Sequence, residues 1–390
     1  MKLIFHSWRA LAALFLTAGL LVACGGVDSG GTGQTVQTSS AGRIAGFGSV
    51  IVNGVRFDDT QASIVDDDGV SHVRGDLKLG MVVEVEGEVH GNSGNGVART
   101  IQFGGEIAGL VEAVDMGVAR LTVLGQAVQV DADTLFSGYT AGLAGVAAGD
   151  LVEVFAFYDP NTAVYTATRI ERKTVLAAFK LRGRISGLDS TGFAIGNALI
   201  DYSAIAPSAL PPLANGLSVR VSLQTLQVGG RWVASSVRSS QRNFPEANEA
   251  ELEGFIGGFV SSANFQVGGV PVDAGGADVS FRHGSIGQLA NGVRVEVEGQ
   301  MRNGVLVASK VDFKRAGGGD QEFELHGAIE SVDAAAQTFV LRGVSVTYDT
   351  STVFAAGNAA DLVVGAQLDV RGAPAAGGTG LQARSIRFER

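Results

Sequence analysis

Short stretches in which apolar and polar residues alternate recur along the chain. In residues 82–89, VVEVEGEV, Val83 and Val85 face one side of the backbone and the intervening glutamates face the other. This period of two predicts antiparallel strands with one buried face. Dipeptides that accept a positive φ, such as Asn53-Gly54 and Asn303-Gly304, separate the stretches and predict hairpin turns. The pattern therefore predicts a chain of short strands.

Four landmarks recur in the same order and define a repeat with five copies. Each copy opens with Gly-x-Ile, reaches a strand that ends in Asp, continues with Gly and an alternating strand, and closes with Ala-x-x-Ile or Ala-x-x-Val. The opening glycines, 63 to 78 residues apart, are Gly42, Gly105, Gly183, Gly254 and Gly327. The strand-ending aspartates are Asp58, Asp131, Asp201, Asp273 and Asp349. The near-constant spacing indicates one structural unit per copy.

Each unit of about 70 residues contains about five predicted strands. Such a small sheet cannot leave both edges bare, so we expect each unit to close into a small OB-like β-barrel. The fold class is therefore all-β, a tandem array of about five OB-like barrel units. The predicted units are residues 42–104, 105–179, 180–250, 251–322 and 323–390.

The order of these landmarks resembles the bacterial repeat known as domain of unknown function 5666. The similarity extends over all five units, is strongest in residues 327–390 and is weakest in residues 183–253. The resemblance implies a small β-barrel fold in proteins of the cell envelope. It implies no activity.

The N-terminus resembles the signal peptide of bacterial lipoproteins. Lys2 and Arg9 form a basic region, residues 10–21 are nearly all apolar, and residues 21–25, LVACG, look like a lipobox. An apolar run of about a dozen residues is too short to span a membrane but suits a signal-peptide core. The resemblance implies removal of residues 1–23 and lipidation of Cys24, the only cysteine of the chain. An ordinary secretory signal with an incidental cysteine is the alternative.

Residues 24–41 are predicted to link the lipid to the first barrel. They contain no aromatic residue and little to bury, so we expect a flexible tether. Gly25 stands where an inner-membrane retention signal usually has Asp, and by resemblance to Gram-negative lipoproteins this favours the outer membrane. Orientation toward the periplasm or the cell surface stays open.

The acidic charge limits the classes of partner. Residues 1–23 carry two positive charges, Lys2 and Arg9, and no acid, so their removal changes the net charge from −10 to −12. Such a chain repels phosphate backbones, and we expect no nucleic-acid partner. The expected partners are the membrane, through the lipid, and an envelope protein or polysaccharide.

Acidic residues are the first candidates for chemistry. The recurring aspartates could line a ligand surface, but each ends a strand, where Asp accepts hydrogen bonds from the following amides in an Asx turn. Residues 66–68 form the densest acidic cluster and could bind calcium weakly, yet they lack the spaced ligands of a calcium loop. We expect Asx turns in the first case and a solvated hairpin tip in the second.

The histidines predict neither metal binding nor catalysis. Those after residue 23 fall in three different units, without the short spacings of zinc sites. His283 lies close to Ser285, but the loop around them offers no orienting acid. We therefore expect no catalytic residue, no metal and no cofactor.

Aromatic residues are the remaining candidates, because exposed rings can stack on ligands. Tyr158 lies in the second unit, which is rich in aromatics, and Trp232 lies in the last strand of the third. Both are weak candidates for ligand binding. The favoured function is a non-catalytic, lipid-anchored array that binds or scaffolds envelope components. The alternative is a glycan- or peptide-binding module that uses an OB-type barrel face.

Overall fold

Strands dominate the structure, a computed structural model that describes residues 35–90, 94–240, 244–315, 318 and 321–389. The helical elements of these residues are short 3₁₀ turns: Arg74–Asp76, Gly142–Gly145, Pro207–Ala209, Ile286–Gln288, Ala359–Asp361 and Ala376–Gly378. The described residues belong to one compact unit of the chain. The all-β prediction is confirmed.

Barrel 1, residues 35–103, shows the plan that the other units repeat. Its strands are β1 (Thr35–Phe47), β2 (Val50–Val52), β3 (Val55–Asp58), β4 (Ser63–Asp66), β5 (Ser71–His72), β6 (Val82–His90) and β7 (Asn95–Phe103). A ring forms because β1 pairs with β2, β2 with β3, β3 with β7, β7 with β6, and β6 with β1. Only the β3–β7 pairing of the ring is parallel. The ring closes a five-stranded, OB-like barrel.

The other four barrels close through the same pairings. Barrel 2 contains β8 (Ile107–Asp115), β9 (Arg120–Val123), β10 (Gln126–Gln129), β11 (Leu135–Ser137), β12 (Leu151–Asp159) and β13 (Val164–Lys173). Barrel 3 contains β14 (Phe179–Ser186), β15 (Gly192–Ile195), β16 (Ala198–Asp201), β17 (Ser218–Val228) and β18 (Arg231–Ser239).

Barrel 4 contains β19 (Ala247–Ser261), β20 (Asn264–Val267), β21 (Val270–Asp273), β22 (Ser280–Arg282), β23 (Arg294–Arg302) and β24 (Val305–Phe313). Barrel 5 contains β25 (Phe323–Asp333), β26 (Thr338–Leu341), β27 (Val344–Thr347), β28 (Val353–Ala355), β29 (Gln367–Pro374) and β30 (Leu381–Phe388). The tandem barrels predicted from the repeats are thus confirmed.

Two glycines that recur in the repeat occupy positions where a side chain would be unfavourable. In every barrel, the glycine before the strand that corresponds to β6 has a φ between 80° and 95°, a conformation that favours glycine. These residues are Gly80, Gly149, Gly216, Gly292 and Gly365. The glycine within that strand in barrels 1, 4 and 5 follows a β-bulge, where a Cβ would collide with the paired strand.

Strand β1 pairs with strands of two other barrels and begins earlier than the predicted linker allows. It begins at Thr35, so residues 35–41 belong to the structured body and not to a tether. Ser40 is fully buried, because β1 pairs with β6 on one side and runs parallel to β19 of barrel 4 on the other. Farther along, Gly46 and Phe47 pair with β25 of barrel 5. A single strand therefore connects three barrels.

The apolar cores also cross barrel boundaries. Barrels 1 and 5 share one cluster of buried side chains, which Leu135, Phe155 and Phe157 of barrel 2 join. Barrels 2 and 3 share a second cluster, and barrel 4 holds a third that includes Ala41. The array is consequently held together by side-chain packing as well as by strand pairing.

Candidate binding sites at the barrel junctions

The recurring aspartates form Asx turns, as predicted. The Oδ1 atom of each accepts a hydrogen bond from the backbone amide two residues later, at 2.7 to 3.0 Å. The pairs are Asp58 with Thr60, Asp131 with Asp133, Asp201 with Ser203, Asp273 with Gly275, and Asp349 with Ser351. The amide of Thr60 lowers the pKa of Asp58 because it stabilises the ionised carboxylate. These carboxylates organise turns.

The acidic cluster at residues 66–68 is not a solvated hairpin tip, because its side chains form ion pairs with another barrel. Asp67 contacts Arg182 and lies 2.7 Å from Nη1 of Arg220, while Asp68 contacts Lys180 and lies 2.6 Å from Nη2 of Arg238. All four cations belong to barrel 3. The prediction of a solvated tip is wrong because long-range ion pairs cover the cluster. It joins barrel 1 to barrel 3.

The histidine at position 283 has an acidic partner that the sequence concealed. Its Nδ1 lies 2.7 Å from Oδ1 of Asp312, which comes from β24 and not from the histidine's own loop. The loop around His283 offers no acid, and the acidic partner of the imidazole comes from this neighbouring strand instead. Ser285, however, directs its hydroxyl at Gln288, 3.4 Å away. Within the described ranges, no group of three or more His, Cys, Asp and Glu side chains could hold a metal ion.

The two aromatic candidates lie in different surroundings. Trp232 is 6% exposed and packs edge-on against Phe179, with ring centroids 5.5 Å apart. It is therefore a core residue without an exposed face for stacking, and the structure does not support Trp232 as a ligand-binding residue. Tyr158 is only half-buried, and its ring lies 4.7 Å from that of Tyr165.

Tyr158 lines a crevice, here called the junction crevice, that barrels 2, 3 and 4 form together. Its cavity of about 80 Å³ is also lined by Pro160, Arg184, Phe255 and Gln266. Burial raises the pKa of Tyr158, so its hydroxyl stays neutral in the ordinary pH range. The crevice thus combines an aromatic ring with polar groups from neighbouring barrels.

A larger and more polar cavity, the acidic groove, lies between barrels 1 and 4. One part measures about 450 Å³ and the adjoining part about 610 Å³, and the two share Glu251 and Glu298 in their walls. The acids along the groove are Glu249, Glu251, Glu253, Glu296 and Glu298, and the bases are Arg43, Lys310 and Lys314. Acids therefore outnumber bases by five to three.

Strand register explains the acidic wall. Glu249, Glu251 and Glu253 alternate along β19, so they share one face, and β23 places Glu298 opposite Glu251 and Glu296 opposite Glu253. Directly opposed like charges destabilise a sheet unless cations or protons compensate them. The sequence shows the alternating glutamates of β19 and of β23 separately, and the site could not be predicted from them. The missing information was that these two strands pair.

Two predictions concern the N-terminal region. Cys24 and the predicted signal peptide lie outside the described residues. Among the residues that the structure does describe, no helix is sufficiently long and apolar to cross a membrane.

The fold and its junctions define an all-β protein of tandem OB-like barrels. The model of the family "Domain of unknown function (DUF5666)" matches residues 38–102, 108–171, 253–312 and 326–387, more than half of the chain. The chain belongs to this family. Barrel 3 lies outside the four matches, in agreement with the weak similarity of that unit.

Other comparisons add little. No curated protein matches the chain. A solved structure titled "drosophila Unr CSD456" is 15% identical, with 54% of this chain and 97% of that chain covered and a TM-score of 0.15. A likeness at this TM-score supports no argument about fold or function.

Proposed function

We propose that the protein is a non-catalytic, lipid-anchored protein of the outer membrane whose barrels form one platform for binding or scaffolding envelope components. The supporting observation is that β1 pairs with strands of barrels 4 and 5. Fixed junctions create composite surfaces that a single barrel lacks. A rigid platform also loses less conformational entropy when it binds than a flexible array does.

The anchor is tested at Cys24. Mass spectrometry of the mature protein should show a chain that begins at Cys24 and carries acyl groups. Cys24→Ser should release the protein from the membrane fraction, because two or more buried acyl chains provide stable anchoring and no chain remains in the variant. An unmodified thiol in the mature protein would refute the anchor.

The binding role is tested by crosslinking in intact cells. Wild type should capture a reproducible set of envelope proteins or polysaccharide. Asp67→Ala, which loosens a barrel junction but keeps the anchor, should capture less of the same set. Equal capture by both would show that the platform arrangement is irrelevant to binding.

A second candidate is a ligand-binding module for a glycan or peptide, and the half-buried ring of Tyr158 favours it. Aromatic rings at a partly open crevice can stack on a ligand ring. Binding of envelope polysaccharide should weaken in Tyr158→Ala and persist in Tyr202→Ala, a matched change outside the crevice. If both variants bind like wild type, the junction crevice is not the site.

A further inference from the structure

A third cavity, here called the cationic pocket, lies where barrels 1, 2 and 5 meet. Its volume is about 290 Å³, close to the lower limit of about 300 Å³ for ligand pockets in proteins. Its charged wall residues are Lys78 of barrel 1, Arg169 of barrel 2 and Arg342 of barrel 5, and none of the described wall residues is an aspartate or glutamate. In a chain of net charge −10, a wall whose charged groups are all cations indicates a site for an anion.

Two of these cations contact neutral carbonyl groups. Nζ of Lys78 contacts the carbonyl oxygen of Gly75, and Nε of Arg342 donates to the carbonyl oxygen of His326 at 3.0 Å. Neither side chain forms an ion pair with a described residue, and both residues are exposed. Both charges therefore remain available to a ligand.

Arg169 adds a donor that is held in place by the surrounding barrels. The residue is 8% exposed, its Nη1 donates to the carbonyl oxygen of Leu79 at 3.1 Å, and its Nε contacts Glu171. Its Nη2 forms no hydrogen bond with a described residue and, unlike the inaccessible Nε and Nη1 atoms of Arg43, retains accessible surface. Because Arg169 is otherwise buried and lines the pocket, this surface faces the pocket.

Acids behind the wall reduce its charge but do not cancel it. One ion-pair cluster is neutral as a whole and consists of Arg169, Glu171, Lys173 and Glu153. Asp150, which contacts the wall residue Tyr139, is compensated by Arg172. Glu330 accepts a hydrogen bond from the amide of the wall residue Gly343 at 3.2 Å and offsets one of the two unpaired cations. The remaining single positive charge matches a carboxylate better than a phosphate, which carries almost two negative charges.

We propose that the cationic pocket binds a small organic carboxylate. The carboxylate group accepts a hydrogen bond from Nη2 of Arg169 and is attracted by Lys78 and Arg342, since charge-assisted hydrogen bonds to carboxylates are strong. The apolar body of the ligand packs against the apolar part of the wall, which consists of Phe47, Leu79, Leu135, Phe136 and Val344. This site goes beyond the platform role, because it takes a small molecule and needs no envelope partner.

Calorimetric titration of the purified full chain with phenylacetate, at physiological ionic strength, tests the proposal. Phenylacetamide has the same shape without the charge, and acetate has the charge without the apolar ring. Phenylacetate should bind at least tenfold more tightly than either. An affinity for phenylacetate equal to that for either comparison compound would overturn the proposal, and tighter binding of phenyl phosphate would overturn the assignment to a carboxylate.

Variants locate the bound anion. Lys78→Gln and Arg342→Gln should each weaken phenylacetate binding at least threefold, while Arg282→Gln, a change at an exposed arginine of barrel 4 outside the pocket, should leave it unchanged. Glu330→Gln should strengthen binding, because it removes the acid that offsets one cation. Equal weakening by all three basic-residue variants would indicate a general charge effect and overturn the site.

The role of Arg169 has its own test. Arg169→Lys keeps the positive charge but removes the guanidinium, so phenylacetate should bind at least tenfold more weakly, and circular dichroism checks that the variant folds. Unchanged binding by the folded variant would overturn the role of Nη2. If this variant does not fold, the Lys78 and Arg342 variants still decide the proposal, because those two residues are exposed.

Discussion

Glu251 lies where barrels 1 and 4 meet, and this position changes its acidity. Burial, reinforced by the nearby charge of Glu296, raises its pKa from the ordinary 4.5 to about 8, although the Ser40 hydroxyl and Lys310 act in the opposite direction. Between these two pH values the folded chain keeps a proton that the unfolded chain releases. Folding stability therefore decreases as the pH rises through this window.

Replacement of this side chain by a neutral one removes that dependence. Glu251→Gln should match the wild type near pH 5, where both side chains are neutral in the folded state. At pH 9 the variant should be more stable, by about 2–4 kcal/mol. Thermal and urea unfolding at pH 5, 7 and 9 measure the difference. Glu330→Gln, a change at an exposed acid of barrel 5, is the control. If the stability difference between the wild type and Glu251→Gln stays the same at pH 5, 7 and 9, the buried-acid interpretation is wrong.

At the scale of elements, the loop after the recurring aspartate is tied to the last strand of the barrel in barrels 2 and 5. In barrel 2 the hydroxyl of Thr134 donates to the carbonyl of Ala167 at 2.8 Å, and in barrel 5 Thr352 donates to Ala383 at 3.0 Å. Both threonines also accept a hydrogen bond from the backbone amide of the recurring aspartate three residues earlier, Asp131 or Asp349. Two sequence landmarks, the strand-ending aspartate and the closing alanine, thus meet through one hydroxyl.

Loss of that hydroxyl should destabilise either barrel in the same way. Thr134→Val and Thr352→Val keep the side-chain shape but leave a buried carbonyl and an amide without partners. Each should lower the free energy of unfolding by about 1–3 kcal/mol. Urea unfolding measures the cost, with Thr350→Val, an exposed neighbour, as control. Variants as stable as this control would show that the threonine bridge is dispensable.

The strands within each barrel were predictable because their signals are local. Alternation marks the buried face, glycine marks a positive φ, and aspartate marks the strand end, so each landmark has its cause within one unit. The first half of β1 has no such signal. The sequence of residues 35–40, TVQTSS, predicts a polar tether. They form a strand because β6 pairs with all of them and β19 pairs with residues 38–40 on the other side.

At the scale of the whole molecule, the arrangement of barrels depends on contacts between distant parts of the sequence. Asp67 and Asp68 meet cations more than 100 positions away, and the wall of the acidic groove needs β1, β19 and β23 together. No periodicity encodes which repeat will contact which. The repeats could therefore be predicted as barrels, while the junctions, and with them both candidate sites, could not.

The junction between barrels 1 and 3 provides a test of this arrangement. The Asp67 side chain is 9% exposed and that of its partner Arg220 is 7% exposed, so Asp67→Ala leaves a buried guanidinium without its carboxylate. Loss of one partner of a buried pair costs about 3–5 kcal/mol. Urea unfolding should show this loss, and hydrogen exchange should accelerate in β14 and β17, which carry the partner arginines.

A matched change elsewhere decides whether the effect belongs to the junction. Asp278→Ala removes an exposed carboxylate of barrel 4 and should leave stability and exchange unchanged. Asp67→Asn keeps the shape and one acceptor, so its cost should lie between those of the two alanine variants. Exchange that accelerates equally in all barrels would point to general loss of stability. Acceleration confined to barrels 1 and 3 is expected, because the remaining junctions rest on β1 and the shared apolar cores.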